Sequence, residues 1–403
     1  MAIRELPRGV IALGFVSMFM DISSEMIHSL LPIFLVTVLS VSTLSVGIIE
    51  GIAEATASIT KVFGGAVSDW IGRRKPLVLI GYGMAALTKP LFPLAQGVAL
   101  VLLARFVDRI GKGVRDAPRD ALVADLTPNG QRGAAYGLRQ AMDTLGAFTG
   151  PGLALALMML TGDDFRLVFW IAVAPAFVAV ALLLFGVREP EAKQAPMPRR
   201  FPIRRQEMLR LDATYWGLVV FATFLTLARF SEAFLLLRAE NVGLAESYIP
   251  AVLIVMNVVY AAGAYPFGHL SDRVSRRVLL ALGIGFLAFA DLILAAATNV
   301  WLALAGAAVW GLHMAVTQGL LTTIVADAAP DDLRGTAFGI FNLITGLGLL
   351  LASTLAGLLW TAIGPSATFL TGASLSAAAM IGLLVRTKPR RRAGNDADEC
   401  QDA

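Results

Sequence analysis

Twelve stretches of this chain are apolar over about 20 residues each, enough at about 1.5 Å per residue to carry a helix across roughly 30 Å of hydrocarbon. They fall near residues 9–38, 46–68, 77–97, 98–114, 133–160, 167–187, 213–238, 247–269, 278–298, 301–325, 335–361 and 366–386. In lipid every backbone N–H and C=O must be satisfied within its own segment, which restricts such stretches to helices. The loops between them are too short for a sizeable soluble domain. Composition agrees: 57% of the residues are apolar and 15% charged, and the mean hydropathy of +0.72 lies outside the soluble range. The predicted fold class is an all-α, multi-pass integral membrane protein with twelve transmembrane helices. The first apolar run is too long for a removable signal peptide and no small-residue cleavage site follows it, so it is expected to remain as a helix.

Lysine and arginine placement predicts the orientation, because these residues are retained on the cytoplasmic side. With the N-terminus inside, only Arg166 and Arg238 of the 33 Lys and Arg face outward, and Lys61, Lys89, Arg105, Arg109, Arg139 and Arg229 lie within spans. The rest are cytoplasmic, which puts both termini there. The pI of 9.4 then reads as a topology signal and not as nucleic-acid binding. The single cysteine, Cys400, sits in the polar tail, so neither a disulfide framework nor a cysteine metal site is expected. No Asn-x-Ser/Thr acceptor occurs, which is compatible with a bacterial inner (plasma) membrane.

The longest hydrophilic stretch between spans, Arg188 to Asp212, divides the chain into a six-span bundle at 1–187, a cytoplasmic linker at 188–212, a second six-span bundle at 213–388 and a polar tail at 389–403. The halves repeat. "GAVSDWIGRR" from Gly65 matches "GHLSDRVSRR" from Gly268, and "ADLTPNGQRGAAYG" from Ala124 matches "ADAAPDDLRGTAFG" from Ala326. Ser24-Glu25 has a counterpart in Ser231-Glu232.

The pattern Gly65-x-x-x-Asp69-x-x-Gly72-Arg73-Arg74-Lys75 resembles the loop signature of the major facilitator superfamily, with a degenerate second copy carrying Asp272 and Arg276. In span five, Gly137, Gly146, Gly150 and Pro151 resemble a helix-packing motif of that superfamily's proton-driven exporters, with Ala154 and Leu155 in place of its last two glycines. The resemblance covers essentially the whole chain. It implies two pseudo-symmetric six-helix bundles around a central cavity lined by spans one, two, four, five, seven, eight, ten and eleven. It further implies secondary transport by alternating access, with no cofactor, by a functional monomer in the lipid bilayer. The signature residues have a physical reading of their own. Small residues let helices approach, and a carboxylate such as Asp69 can accept bonds from a helix N-terminus or an arginine, forming a gate latch that holds in one conformation.

Ionisable residues near span centres cost roughly 2.5 to 3.5 kcal/mol each, so they are expected to avoid lipid. At 100° per residue Asp21, Glu25 and His28 fall at about 0°, 40° and −20°, and Glu50, Glu54 and Lys61 at about 0°, 40° and 20°. Arg105 with Arg109, Arg139 with Asp143, and Arg229 with Glu232 are likewise one turn apart. Such stripes predict a shared hydrated interior. Lys89 and Asp291 are exceptions on spans three and nine, at repeat-equivalent positions, and are expected to pair locally. Asp21, Glu25 and Glu50 have no basic partner in their own helix. An acid in a partly desolvated cavity can exchange a proton, which makes Asp21, Glu25, Glu54 and Glu232 the candidates for proton coupling. The buried arginines need an anion, so His28, Arg105, Arg109, Arg139, Asp143 and Arg229 are the candidates for substrate binding, with structural pairs Arg139–Asp143 and Lys61–Glu54 as the competing reading. A soft-metal site at His28 is disfavoured, because Met18 and Met20 stand about 200° apart on the helix. No metal is expected, and His313 reads as a hydrogen-bonded packing residue.

The expected function is a proton-coupled secondary transporter moving a small polar or charged solute, in the export (antiport) direction. The alternatives are uptake of an organic anion, an iron chelate or another polar nutrient, and a transporter-like membrane sensor. An enzyme is not expected: "GKGVRD" at Gly111 lacks phosphate-loop spacing, and neither H-E-x-x-H nor G-x-S-x-G occurs.

Overall fold

The structure, a computed structural model, describes residues 6–71, 73–128, 131–189, 210–270, 274–328 and 334–385. Its helices are α1 (Arg8–Val38), α2 (Thr43–Ile71), α3 (Lys75–Leu94), α4 (Val98–Leu126), α5 (Arg132–Thr161), α6 (Phe165–Gly186), α7 (Ala213–Asn241), α8 (Pro250–Leu270), α9 (Arg276–Ala296), α10 (Val300–Ala328), α11 (Arg334–Ala362) and α12 (Pro365–Val385). Ten of these are long and apolar enough to cross a membrane on composition alone. The other two, α2 and α4, are equally long but carry the charges. Most of the linker, 190–209, and the tail, 389–403, lie outside the described residues.

In the first half α1 packs on α5 and α6, α4 packs on α2 and α3, and α3 meets α6; in the second half α7, α10 and α9 make the same set of contacts six helices later. The bundles meet along two seams, α2 with α11 and α5 with α8, which the repeat relation exchanges. This is the twofold pseudo-symmetric, two-bundle architecture predicted above. The α2–α11 seam depends on absent side chains: a Cβ on Gly47 would lie 2.2 Å from the Ser353 carbonyl oxygen, and one on Gly357 2.7 Å from that of Thr43. Close backbone approach of this kind is how helices associate in lipid, where hydrophobicity supplies no drive.

Span four needs correction. It was expected to end near residue 114, but α4 continues to Leu126. Its last turns read as loop because Arg115, Asp116, Arg119 and Asp120 lower the hydropathy. Those charges are instead held by neighbours within the bundle: Arg119 donates to Ser17 Oγ at 3.2 Å, and Arg115 stacks over the Tyr82 ring at 4.5 Å.

The two basic residues that break the orientation rule have a shared explanation. Arg166 donates to the Pro93 carbonyl at the end of α3, and Arg238 donates to the carbonyls of Leu294 at 2.9 Å and Ala297 at 2.7 Å at the end of α9. Each caps the C-terminal carbonyls of the third helix in its own bundle, where cations are favoured.

At the end of the bundles remote from the chain termini the two halves are sealed. The Leu31–Ile33 segment of α1 packs on the Ala233–Asn241 segment of α7. One apolar cluster runs across both, through Phe34, Phe169, Phe230, Phe234 and Trp310. Thr43 and Thr361 hydroxyls bond at 2.9 Å, and Ser247 donates to Asp163.

Candidate functional site

A cavity of about 440 Å³ lies between the bundles, lined by α1, α2, α4, α7, α8, α10 and α11. Its ionisable lining is Glu25, His28, Glu50, Glu54, Arg105, Arg109, Lys112, Arg229 and Glu232, and its floor at the sealed end includes Pro32, Ala233, Leu236 and Leu253. Exposure rises away from that floor. On α2 the side chain of Glu50 is 9% exposed and that of Glu54 33%; on α4 Arg105 is 2% and Arg109 6% exposed, and Lys112 is exposed. The gradient shows that the cavity opens toward the end bearing the termini.

The stripes predicted from helical angle meet across helices. Arg105 on α4 donates to Glu50 of α2 and to Nε2 of His28 on α1, whose Nδ1 lies 3.7 Å from Glu25. Arg109 pairs with Glu54 at 2.9 Å. The Lys61–Glu54 pair of the competing reading does not form: Glu54 pairs with Arg109 instead, and Lys61 is exposed. Lys89 is wholly buried and is met by Asp108 at 3.1 Å and Ser24 at 3.0 Å, a local pairing of the sort expected. Glu25, Lys112, Arg229 and Glu232 have no Asp, Glu, Lys or Arg ion-pair partner among the described residues.

Asp21, Arg139 and Asp143 do not line the cavity. Arg139 binds Asp143 at 2.8 Å and lies 3.5 Å from Asp120 of α4, tying α5 to α4 nearer the termini, which is the structural alternative of the sequence reading. Asp21 sits in the α1–α5 seam against Gly146.

In α7 the expected Arg229–Glu232 stripe is interrupted. The helix breaks between Ala228 and Ala233 with no proline or glycine there. Two contacts re-satisfy freed amides: Ser353 Oγ accepts from the Ser231 N–H at 3.2 Å, and Ser231 Oγ accepts from that of Ala233 at 3.2 Å. Unwound backbone at membrane depth is tolerated where it borders a cavity. The break turns Arg229, Phe230, Ser231 and Glu232 together into this one.

A profile described as the Major Facilitator Superfamily matches residues 13–238 and 219–401. The chain belongs to the major facilitator superfamily. It is 33% identical over 394 residues, 95% of each chain, to an uncharacterized MFS-type transporter of Methanocaldococcus jannaschii. It is 25% identical over 342 residues, 79% of each chain, to a cis,cis-muconate transport protein of Acinetobacter baylyi. A solved POT family transporter in complex with a thioalcohol-conjugated peptide superposes with a TM-score of 0.80 at 12% identity, covering 94% of this chain and 96% of that one, a likeness of fold. The protein is thus a multi-pass member of a transporter superfamily.

The superfamily's loop signature is visible in part. A Cβ on Gly65 would lie 3.3 Å from Ala117 Cβ of α4. Arg73 is exposed, whereas Arg74 bonds Asp125 at 2.6 Å and Ser68 at 3.1 Å, and its N–H bonds Glu189 at 2.7 Å. Asp125 and Glu189, which clamp the α2–α3 loop to α4 and to the end of α6, were not picked out from sequence. Gly72, Asp272 and the Asp69 side chain lie outside the described residues, and Arg276 opens α9. Of the span-five motif, Gly146 and Gly150 pack tightly on α1, and Pro151 lies inside α5. Gly137 is a correction: a Cβ there would meet nothing within 4 Å, so it is not a packing glycine in this structure. His313 is buried with Nδ1 2.8 Å from the Gly283 carbonyl, the packing role expected.

Proposed function

We propose that this protein is a proton-coupled secondary transporter of the bacterial inner membrane that exports a small polar or charged solute by alternating access. One observation carries the reading. Glu25 and Glu232, repeat counterparts on α1 and α7, line the same cavity from opposite bundles, each without a lysine or arginine ion-pair partner among the described residues. An uncompensated carboxylate in a membrane interior is costly, and taking up a proton relieves that cost. Proton loading at either acid would bias the rocking of one bundle against the other to the extent that the two states differ in affinity for it. With both termini cytoplasmic, as the basic residues predict, the cavity in this state faces the cytoplasm, ready to load a solute for export. Glu54 extends the acidic path toward the opening, while Asp21, one turn below Glu25, sits beside it in the α1–α5 seam. Arg229 and Lys112 are cations that a solute's anionic group would meet, while Arg105 and Arg109, already paired, hold the acids in place.

Uptake of an organic anion is the second reading. It is favoured by those same two cations and by the likeness to a muconate transport protein.

Proteoliposomes with a trapped pH indicator test the proposal, using solutes that accumulate in, or are excluded from, cells lacking the gene. The expected result is a solute-driven proton signal that disappears in Glu25→Gln and in Glu232→Gln, with counterflow of the solute retained. A proton signal that persists in Asp21→Asn, Glu25→Gln removes those two residues from coupling, and solute flux indifferent to the pH gradient sinks the proposal. The sign of the gradient that drives accumulation decides between export and uptake.

A further inference from the structure

Asp291, in the C-terminal third of α9, is wholly buried, and neither of its carboxylate oxygens has a hydrogen-bond partner among the described residues. Its repeat counterpart is Lys89, whose ammonium is met by Asp108 and Ser24. The same offset of 202 carries Asp108 onto Trp310, whose indole N–H is also buried and without a partner. The second bundle has therefore kept a polar group at this depth, reversed its charge and lost the counter-ion. From α12, Gly372 leaves room for the acid: a Cβ there would lie 2.5 Å from Asp291 Oδ2. One turn along is Ser376, buried with its hydroxyl unpartnered.

The surroundings supply no charge to balance an ionised Asp291. α12 contains no ionisable residue. α10 offers Trp310 and, a turn nearer the termini, His313, which is bonded to the Gly283 carbonyl two turns away on α9. Arg229 and Glu232, on either side of the α7 break, line the cavity instead. Burying an isolated carboxylate costs far more than burying the neutral acid, so the group carries a proton. A route to it is visible. Phe230, within the α7 break, lines the cavity on one side. On the other its Cε1 lies 3.0 Å from the same Gly372 Cβ point that is 2.5 Å from Asp291 Oδ2. The Phe230 ring therefore stands between the acid and the central cavity, resting on Trp310 and Phe369.

We propose that Asp291 is a second proton-binding site, a neutral carboxylic acid in the C-terminal bundle that exchanges its proton with the central cavity past the Phe230 ring. It stands whether or not Glu25 and Glu232 couple transport, because its readout needs no solute. Infrared difference spectra of the protein in lipid, recorded in water and in heavy water at neutral pH, report each protonated carboxyl group as a deuterium-sensitive carbonyl band. The expected result is one such band that is lost in Asp291→Asn and retained in Glu25→Gln and Glu232→Gln, and whose deuterium shift develops faster in Phe230→Ala than in the unaltered protein. If Asp291→Asn does not fold, aspartate labelled at the carboxyl carbon in the unaltered protein must displace the same band. A full set of bands in Asp291→Asn, no displacement by the label, or an unchanged exchange rate in Phe230→Ala each overturns the proposal.

Discussion

Replacing Arg105 by alanine is expected to destabilise the protein by about 3 to 5 kcal/mol, the loss typical of removing one member of a buried ion pair. Arg105 is almost wholly buried and its guanidinium joins three helices, donating to Glu50 of α2 and His28 of α1 from its own position on α4. Without it Glu50 is left as a buried carboxylate with no cation, and the cost comes from that stranded charge more than from the missing contact. Arg105→Lys is not expected to restore stability, because a point ammonium cannot present two donors in the fixed fork that reaches both partners. The double variant Glu50→Gln, Arg105→Gln is expected to be more stable than Arg105→Ala, since neither charge remains to be compensated. Thermal unfolding of the purified protein in detergent checks all three, and an unchanged midpoint in Arg105→Ala would show that the pair contributes nothing. The same pair separates a holding role from a substrate-contacting one. Glu50→Gln frees the guanidinium, so an anionic solute is expected to bind more tightly if it reaches Arg105, and with unchanged affinity if Arg229 and Lys112 receive it.

The twelve helices and the duplication were legible because both rest on periodic, local signals. Apolar length marks a span, and a fixed offset links Lys89 to Asp291 as firmly as it links the two loop signatures. Helical angle put Glu25 with His28, Glu50 with Glu54 and Arg105 with Arg109 on the cavity face, but Asp21 and Lys61, from the same stripes, lie off it, and the Arg229–Glu232 stripe is broken. What it could not supply was the partner across the gap: Glu50 and Arg105 are 55 residues apart, and nothing in either helix states the register between them. The end of α4 was misplaced for a related reason, since hydropathy scores a charge the same way whether water or a neighbouring Tyr82 receives it. The break in α7 carries neither proline nor glycine, and it persists because Ser353, on another helix, accepts one of the freed amides. Glycine was read through a motif in span five, which overrated Gly137 and passed over Gly47 and Gly357, whose importance appears only once α2 and α11 are side by side.

Gly150→Ala is expected to cost about 1 to 3 kcal/mol, the usual penalty of overpacking, and Gly150→Val more. A Cβ at that position would lie 2.6 Å from Glu25 Cβ and 2.9 Å from the Ile22 carbonyl oxygen, so the obstruction includes backbone of α1 that cannot rotate aside. The control is two residues away on the same helix. A Cβ at Gly152 meets nothing within 4 Å, and Gly152→Ala is expected to be neutral or to stabilise by up to about 1 kcal/mol through helix propensity. Equal unfolding midpoints for the two alanine variants would show that α1 and α5 do not approach as closely as the structure places them. The functional consequence follows from where the collision falls. Glu25 is the residue the new methyl group strikes, so the substitution shifts a cavity acid as well as loosening a seam. A steric penalty acts only on conformations in which the helices touch. If transport opens the α1–α5 seam, Gly150→Ala favours the separated state by the same free energy it costs this one. Solute flux is then expected to fall while binding from one side of the membrane strengthens, whereas a seam that stays closed throughout the cycle would lose stability with flux per folded molecule unchanged.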